Sequence, residues 1–307
     1  MGSTAGEHVT PGHAASSTRP GVWLTELSLV AMALIWGVNF SVVKFGTTLV
    51  APLAYNGVRV AVAAAVLLAV VLVMRVPMPS TRTVFALLGL GVLGNGVYQF
   101  LFIEGVALTR ASDAALVVAA TPAFIAMISR ARGVERITTR SIGGIALSVA
   151  GIALVVLGTA RSTDGSSSLL GDFLVLVGSV AWAAFTVLLK PYTEHVDGRQ
   201  VSAFTMLGGA IVLLIVGAPA IVAAEWSALP PIGWSALGFS AVFALVIAYY
   251  FWYNGVRVIG PTRTAMFSNL QPVIAVLVAW ALLHETPTSW QCIGGGCIVT
   301  GLLLTRM

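Results

Sequence analysis

The chain has 307 residues, 58% of them apolar and only 9% charged, with a net charge of +5. That composition belongs to membrane proteins, because a soluble fold of this size could not cover so much apolar surface. The only cysteines, Cys292 and Cys297, sit five apart in one apolar segment and make neither a disulfide framework nor a metal site.

Residues 1–23 are small, polar and rich in Pro and Gly, without the apolar core or cleavage site of a signal peptide, and read as a disordered cytoplasmic tail. Ten apolar runs follow, each long enough to cross a bilayer as a helix. They lie at 24–46, 52–74, 83–106, 111–130, 141–159, 169–190, 201–223, 232–254, 263–283 and 289–305. The first carries Trp36 and Asn39 nearly one turn apart. The second carries Arg59 about two turns from its start. In the third, Asn95, Tyr98 and Gln99 have the i, i+3, i+4 spacing of one helix face, and Glu104 lies near its end. Asp113 opens the fourth, and Pro122 interrupts its middle. A polar segment at 161–168 separates the halves, and a second long link is expected at 191–200. The sixth run carries Trp182, and the eighth carries Tyr249, Tyr250 and Trp252. The ninth carries Asn269 and Gln271 beside Pro272.

The chain is built twice. Between 105 and 154, 11 of 50 ungapped positions match the residue 150 places later, among them Pro122/Pro272, Glu135/Glu285, Gly144/Gly294 and Gly151/Gly301. Trp36 precedes Lys44 by eight residues, as Trp182 precedes Lys190. The reading is therefore an all-α membrane protein of two five-helix repeats, 24–160 and 169–307. Five is odd, so the second repeat enters the bilayer from the opposite side. Placing the amino terminus in the cytoplasm puts twelve Lys and Arg at inner ends, against Lys44, Arg110 and Arg161 outside. The excess fits the positive-inside rule, so the basic charge needs no nucleic-acid partner. Both termini are then cytoplasmic, in a plasma membrane or bacterial inner membrane.

Polar and aromatic residues at mid-span depth are expensive in lipid and are expected to face protein or a watery cavity. The expected wall comprises Trp36, Asn39, Arg59, Asn95, Tyr98, Gln99, Trp182, Tyr249 and Asn269, with an interfacial belt as the competing place for Tyr249, Tyr250 and Trp252. Arg59 is read as meeting a substrate carboxylate, as forming an outer gate with Glu104 and Asp113, or as part of a static ion pair. Pro122 and Pro272 each free a carbonyl one turn earlier, at Val118 and Ser268, and are candidate hinges. Glu135 and Glu285 read as entry residues of the fifth and tenth helices. The small residues of those helices suit close packing. They also offer a face for a second subunit, so a homodimer stands as the alternative to a monomer.

Leu34-Ile-Trp-Gly-Val-Asn-Phe40, Pro52 followed by Arg59, and Ala111-Ser-Asp-Ala-Ala115 leading to Pro122 resemble the first half of the drug/metabolite transporter superfamily, EamA type. Glu135-Arg-Ile-Thr138 and His284-Glu-Thr-Pro-Thr288 resemble that family's Gly-Glu-x-x-Thr segments, with Val134 and His284 in place of Gly. The resemblance implies ten helices around a central cavity, with export or exchange of small metabolites. A secondary transporter is the leading reading, with an amino acid or related zwitterion or neutral amphiphile as substrate. A cationic-drug exporter driven by proton antiport is one alternative, and a membrane-embedded enzyme or a channel is another. No cofactor or metal is expected, and the partners are the small-molecule substrate and the bilayer.

Overall fold

The computed structural model describes residues 22–133, 139–160 and 168–306. The tail before residue 22, linker residues 161–167 and Glu135 lie outside the described residues. Ten helical spans are described and no strand: α1 (Val22–Leu49), α2 (Pro52–Val73), α3 (Thr81–Leu108), α4 (Ala111–Val118 and Thr121–Ala131), α5 (Thr139–Ala160), α6 (Leu169–His195), α7 (Gly198–Ala223), α8 (Pro231–Ile259), α9 (Pro261–Phe267 and Leu270–Leu283) and α10 (Ser289–Arg306). Starts are marked by residues suited to them. Pro52 and Pro231 sit at first positions, Ser80 Oγ accepts from the Thr83 amide, and the Asp197 carboxylate accepts from the Arg199 amide at 2.9 Å. Large apolar side chains such as Phe85, Leu72, Ile215 and Val222 point outward, as a lipid-facing surface requires.

The expected link at 191–200 is a correction. α6 continues through Pro191 to His195, with Lys190 and Glu194 paired one turn apart at 2.9 Å, and only Val196 and Asp197 separate it from α7. Pro191 removes one donor near the helix end, too little to stop it. Arg199 beside Asp197 holds that carboxyl below the usual carboxylate range.

Two kinds of irregularity recur in both repeats. α3 contains a π-helical stretch at Val92–Val97, and α8 contains one at Phe239–Ile247. Residues 92–97 shifted by 150 fall inside the second. α4 breaks at Ala119–Ala120 and α9 at Ser268–Asn269, just ahead of Pro122 and Pro272. The carbonyls that the prolines release are not left bare. Val118 O accepts from the Thr121 hydroxyl at 2.6 Å, and Ser268 O accepts from the Gln271 amide at 3.0 Å.

α5 and α10 pack against each other through glycines. A methyl group on Gly294 would come within 2.7 Å of Gly151 O, and one on Gly151 within 2.6 Å of Gly294 O. Gly301 lies equally close to Gly144 O. Because Gly294 and Gly301 are the repeat mates of Gly144 and Gly151, each glycine meets the mate of the other. That reciprocity is the mark of a two-fold axis relating two inverted copies. These glycines are occupied within the chain, whereas Gly143 and Gly296 of the same two helices meet open space. Where α3 meets α6, Gly105 and Gly171 also pack closely, each against the other's carbonyl oxygen.

Candidate functional site

A chamber lies where α1, α2, α3 and α4 of the first repeat face α6, α8 and α9 of the second. Arg59 is its only charged lining residue among the described residues and is almost fully buried. An isolated buried cation costs several kcal/mol, and here polar neighbours from both repeats offset it. Nε donates to Asn56 Oδ1 at 2.7 Å, one terminal nitrogen donates to Ser240 Oγ at 2.6 Å, and the other donates to Gln99 Oε1 at 2.6 Å. Gln99 passes the network on, its amide nitrogen donating to Tyr249 OH at 2.8 Å. Asn56 donates to the Gln99 carbonyl at 2.9 Å, tying α2 to α3.

Aromatic rings close one side of the chamber. Trp36 and Trp182, equivalent residues of the two repeats, have ring centres 6.2 Å apart. Tyr249 lies 5.5 Å from Trp36 and 5.3 Å from Trp182, and Trp252 lies 5.6 and 5.7 Å from the same two. Most of these contacts are edge-on or tilted, the arrangement that ring quadrupoles favour. The Trp36 indole N–H donates to Ala244 O at 2.8 Å, a carbonyl of the π stretch in α8. Phe40 and Phe102, 5.6 Å apart, stand on the other side. The rings leave a cavity of about 50 Å³.

Seven of the nine expected wall residues line this chamber: Trp36, Asn39, Arg59, Tyr98, Gln99, Trp182 and Tyr249. Two do not. Asn95 packs its side chain against Gly209 of α7, because the π stretch changes the number of residues per turn and the i, i+3, i+4 spacing no longer marks one face. Asn269 sits in the break of α9, while its neighbours Ser268 and Gln271 reach the chamber. Pro122 lines the chamber, but Pro272 turns toward a groove beside Gln291 and Cys292. Tyr249 and Trp252 are buried at the chamber and not in a belt, whereas Tyr250 is 45% exposed.

The gate of Arg59, Glu104 and Asp113 is also a correction. Arg59 spends its bonds on neutral partners, whereas Asp113 Oδ1 accepts from Gln291 at 2.8 Å and Glu104 lies half-buried away from the chamber wall. A different carboxylate joins the repeats at that end. Glu285 accepts from the Ala111 amide at 3.0 Å, the Ser112 amide at 3.1 Å and the Ser112 hydroxyl at 2.7 Å. It thus serves the amino end of α4, where negative charge is favoured, and not that of α10 as expected. Arg110 Nε stands 3.9 Å from Glu285, and another Arg110 nitrogen donates to Thr286 O at 2.9 Å. Lys44 donates to the Val106 and Ala107 carbonyls at the end of α3. His284 holds the preceding turn with φ +57°, a left-handed conformation that glycine adopts more readily. The opposite end of the bundle has a vestibule of about 580 Å³ bordered by Arg199, Tyr250, Tyr253 and Arg257.

Several contributors escaped sequence reasoning. Asn56 and Ser240 hold Arg59, yet an Asn near a span end and a lone Ser in an apolar run carry no distinctive signal. Phe40 and Phe102 resemble any lipid-facing phenylalanine. Asp172, fully buried at the start of α6 and accepting from Thr109 at 2.7 Å, would have been found by counting carboxylates inside span limits.

Ten apolar spans, an inverted duplication and a polar chamber between the copies define an integral, multi-pass membrane protein of the transporter kind. The EamA-like transporter family model matches residues 23–157 and again 169–307, and the chain belongs to that family. It is 32% identical over 285 residues to the uncharacterized inner membrane transporter YedA of Escherichia coli (strain K12), covering 91% of this chain and 90% of the relative. It is 26% identical over 281 residues to the uncharacterized transporter YyaM of Bacillus subtilis (strain 168), covering 90% and 92%. A crystal structure of a protein with 19% sequence identity shares the fold, with a TM-score of 0.67 over 92% of this chain and 98% of the other.

Proposed function

We propose that the chain is a secondary transporter that exports a small metabolite by alternating access, carrying no chemical step of its own. The substrate class that fits best is an amino acid or related zwitterion, ahead of a neutral amphiphile. The observation that carries this reading is the position of the chamber. It lies between the two repeats, at the level of the α4 and α9 breaks, with one buried cation in an otherwise neutral wall. Discontinuous helices at a repeat interface are a common setting for transporter sites. Arg59 argues against the cationic-drug reading, since a second positive charge would enter a chamber with no lining carboxylate among the described residues.

The test is flux in proteoliposomes for amino acids, nucleosides and cationic drugs, with and without an imposed pH gradient. Saturable flux of an amino acid or related zwitterion, through exchange or facilitated diffusion and indifferent to the gradient, is the expected result. Uphill flux of a cation driven by the gradient would replace this reading with proton antiport. Solute flux that never saturates would point to a channel.

Both termini are proposed to be cytoplasmic, on the arginine and lysine distribution. Single cysteines placed at Arg132 and Thr286 in a chain lacking Cys292 and Cys297 should be labelled from the inside and the outside respectively. Labelling of both from one side would end the proposed orientation.

A further inference from the structure

We propose that the chamber recognises a small monocarboxylate that also carries an N–H or O–H donor, an amino or hydroxy acid, with Arg59 receiving the carboxylate and Asn39 the donor. This rests on the transporter reading above and assigns its chemistry to named groups. A guanidinium has five N–H bonds. Arg59 directs three of them to Asn56, Ser240 and Gln99, which leaves one N–H on each terminal nitrogen for a further acceptor. None of the ion pairs among the described residues includes Arg59. The lining therefore carries one positive charge, which a monoanion neutralises, a dianion overshoots and a cation doubles.

Asn39 supplies the second pole. Its side-chain oxygen is buried on the chamber wall and accepts no hydrogen bond from the protein. An unpaired buried acceptor is costly, and a donor on the ligand removes that cost. The free volume sets the size. A water needs at least about 10–15 Å³, so about 50 Å³ admits only a few atoms beyond a carboxylate. A longer side chain has to displace a ring such as Phe102 or Tyr98.

The experiment is equilibrium binding to the purified full chain in detergent, read by tryptophan fluorescence, because Trp36, Trp182 and Trp252 border the chamber. The probes are glycine, glycolate, propionate, glycinamide and inorganic phosphate. Glycine and glycolate are expected to bind. Propionate, without the donor, should bind about tenfold more weakly, and glycinamide and phosphate about thirtyfold or more, in line with one neutral and one charged hydrogen-bonding interaction. Asn39→Leu should bring glycine to the level of propionate while leaving propionate within about twofold. Arg59→Gln should weaken every carboxylate by about thirtyfold or more. Arg59 also links three helices, so the Asn39 variant decides the matter if Arg59→Gln does not fold. Glycinamide binding as tightly as glycine, propionate equalling glycine in the unaltered chain, or no probe binding at all would each overturn the assignment. The wider flux panel then shows separately whether the transporter reading survives.

Discussion

Gly294→Val is expected to disrupt the α5–α10 pair and lower stability by about 3 kcal/mol, the upper end of ordinary overpacking. The first methyl would already approach Gly151 O to 2.7 Å and press on Val155, and backbone atoms cannot swing aside as a side chain can. Gly301→Val should cost a similar amount, since it meets Gly144 and Ser148 in the mirrored contact. Gly296→Val is the control: a side chain there meets open space on the same helix and should change the melting midpoint little. Thermal melts of the three variants in one detergent make the comparison. Equal effects at Gly294 and Gly296 would mean that helix propensity, and not the close contact, decides the outcome.

Glu285→Ala should be the most damaging polar substitution at the Lys44 end of the bundle. It strips the acceptor from two amides and a hydroxyl of the other repeat, and removes the negative charge beside Arg110. Hydrogen bonds to charged groups contribute about 1.5–3 kcal/mol each. Because water can reach the opened site, a net loss of about 3 kcal/mol is the expected scale. Glu285→Gln keeps one accepting oxygen and should fall between the two. Chemical or thermal denaturation measures this, and a Glu285→Ala chain as stable as the parent would show that the clasp contributes nothing. If the clasp seals the chamber from that end, water-soluble thiol reagents should also reach Phe40→Cys faster in the Glu285→Ala background.

The spans were legible because lipid demands long apolar runs, and the duplication was legible because prolines and glycines at close contacts stayed in register. Trp36, Asn39, Tyr98, Gln99 and Trp182 were legible for the same reason: such groups are costly in hydrocarbon and must face inward. Asn95 was misplaced because a π stretch leaves no composition signal, being only a change in which carbonyl an amide chooses. Arg59 stood out in the sequence as a charge inside a span, but its partners did not. A search by charge looks for Glu104 and Asp113, whereas the chain satisfies the guanidinium with two amides and a hydroxyl. Glu285 was seen as a helix-entry residue, and the helix it serves lies 174 residues back along the chain. Sequence spacing can announce a cap, but only the packing of the repeats says whose.

A carrier made of two inverted copies reaches its opposite-facing state when the copies trade conformations. Shifted by the 150-residue repeat, the sequence places of Glu285 and Ala111 fall on Glu135 and Pro261. Proline has no N–H to offer, so the second clasp would be short of one backbone bond that the first one makes. On the proposed alternating access, that missing bond alone would favour the facing described here by an amount on the order of 1 kcal/mol, or roughly fivefold in population. On that proposal, an unloaded membrane would hold most copies shut at the Glu285 end, waiting for cargo from the other side.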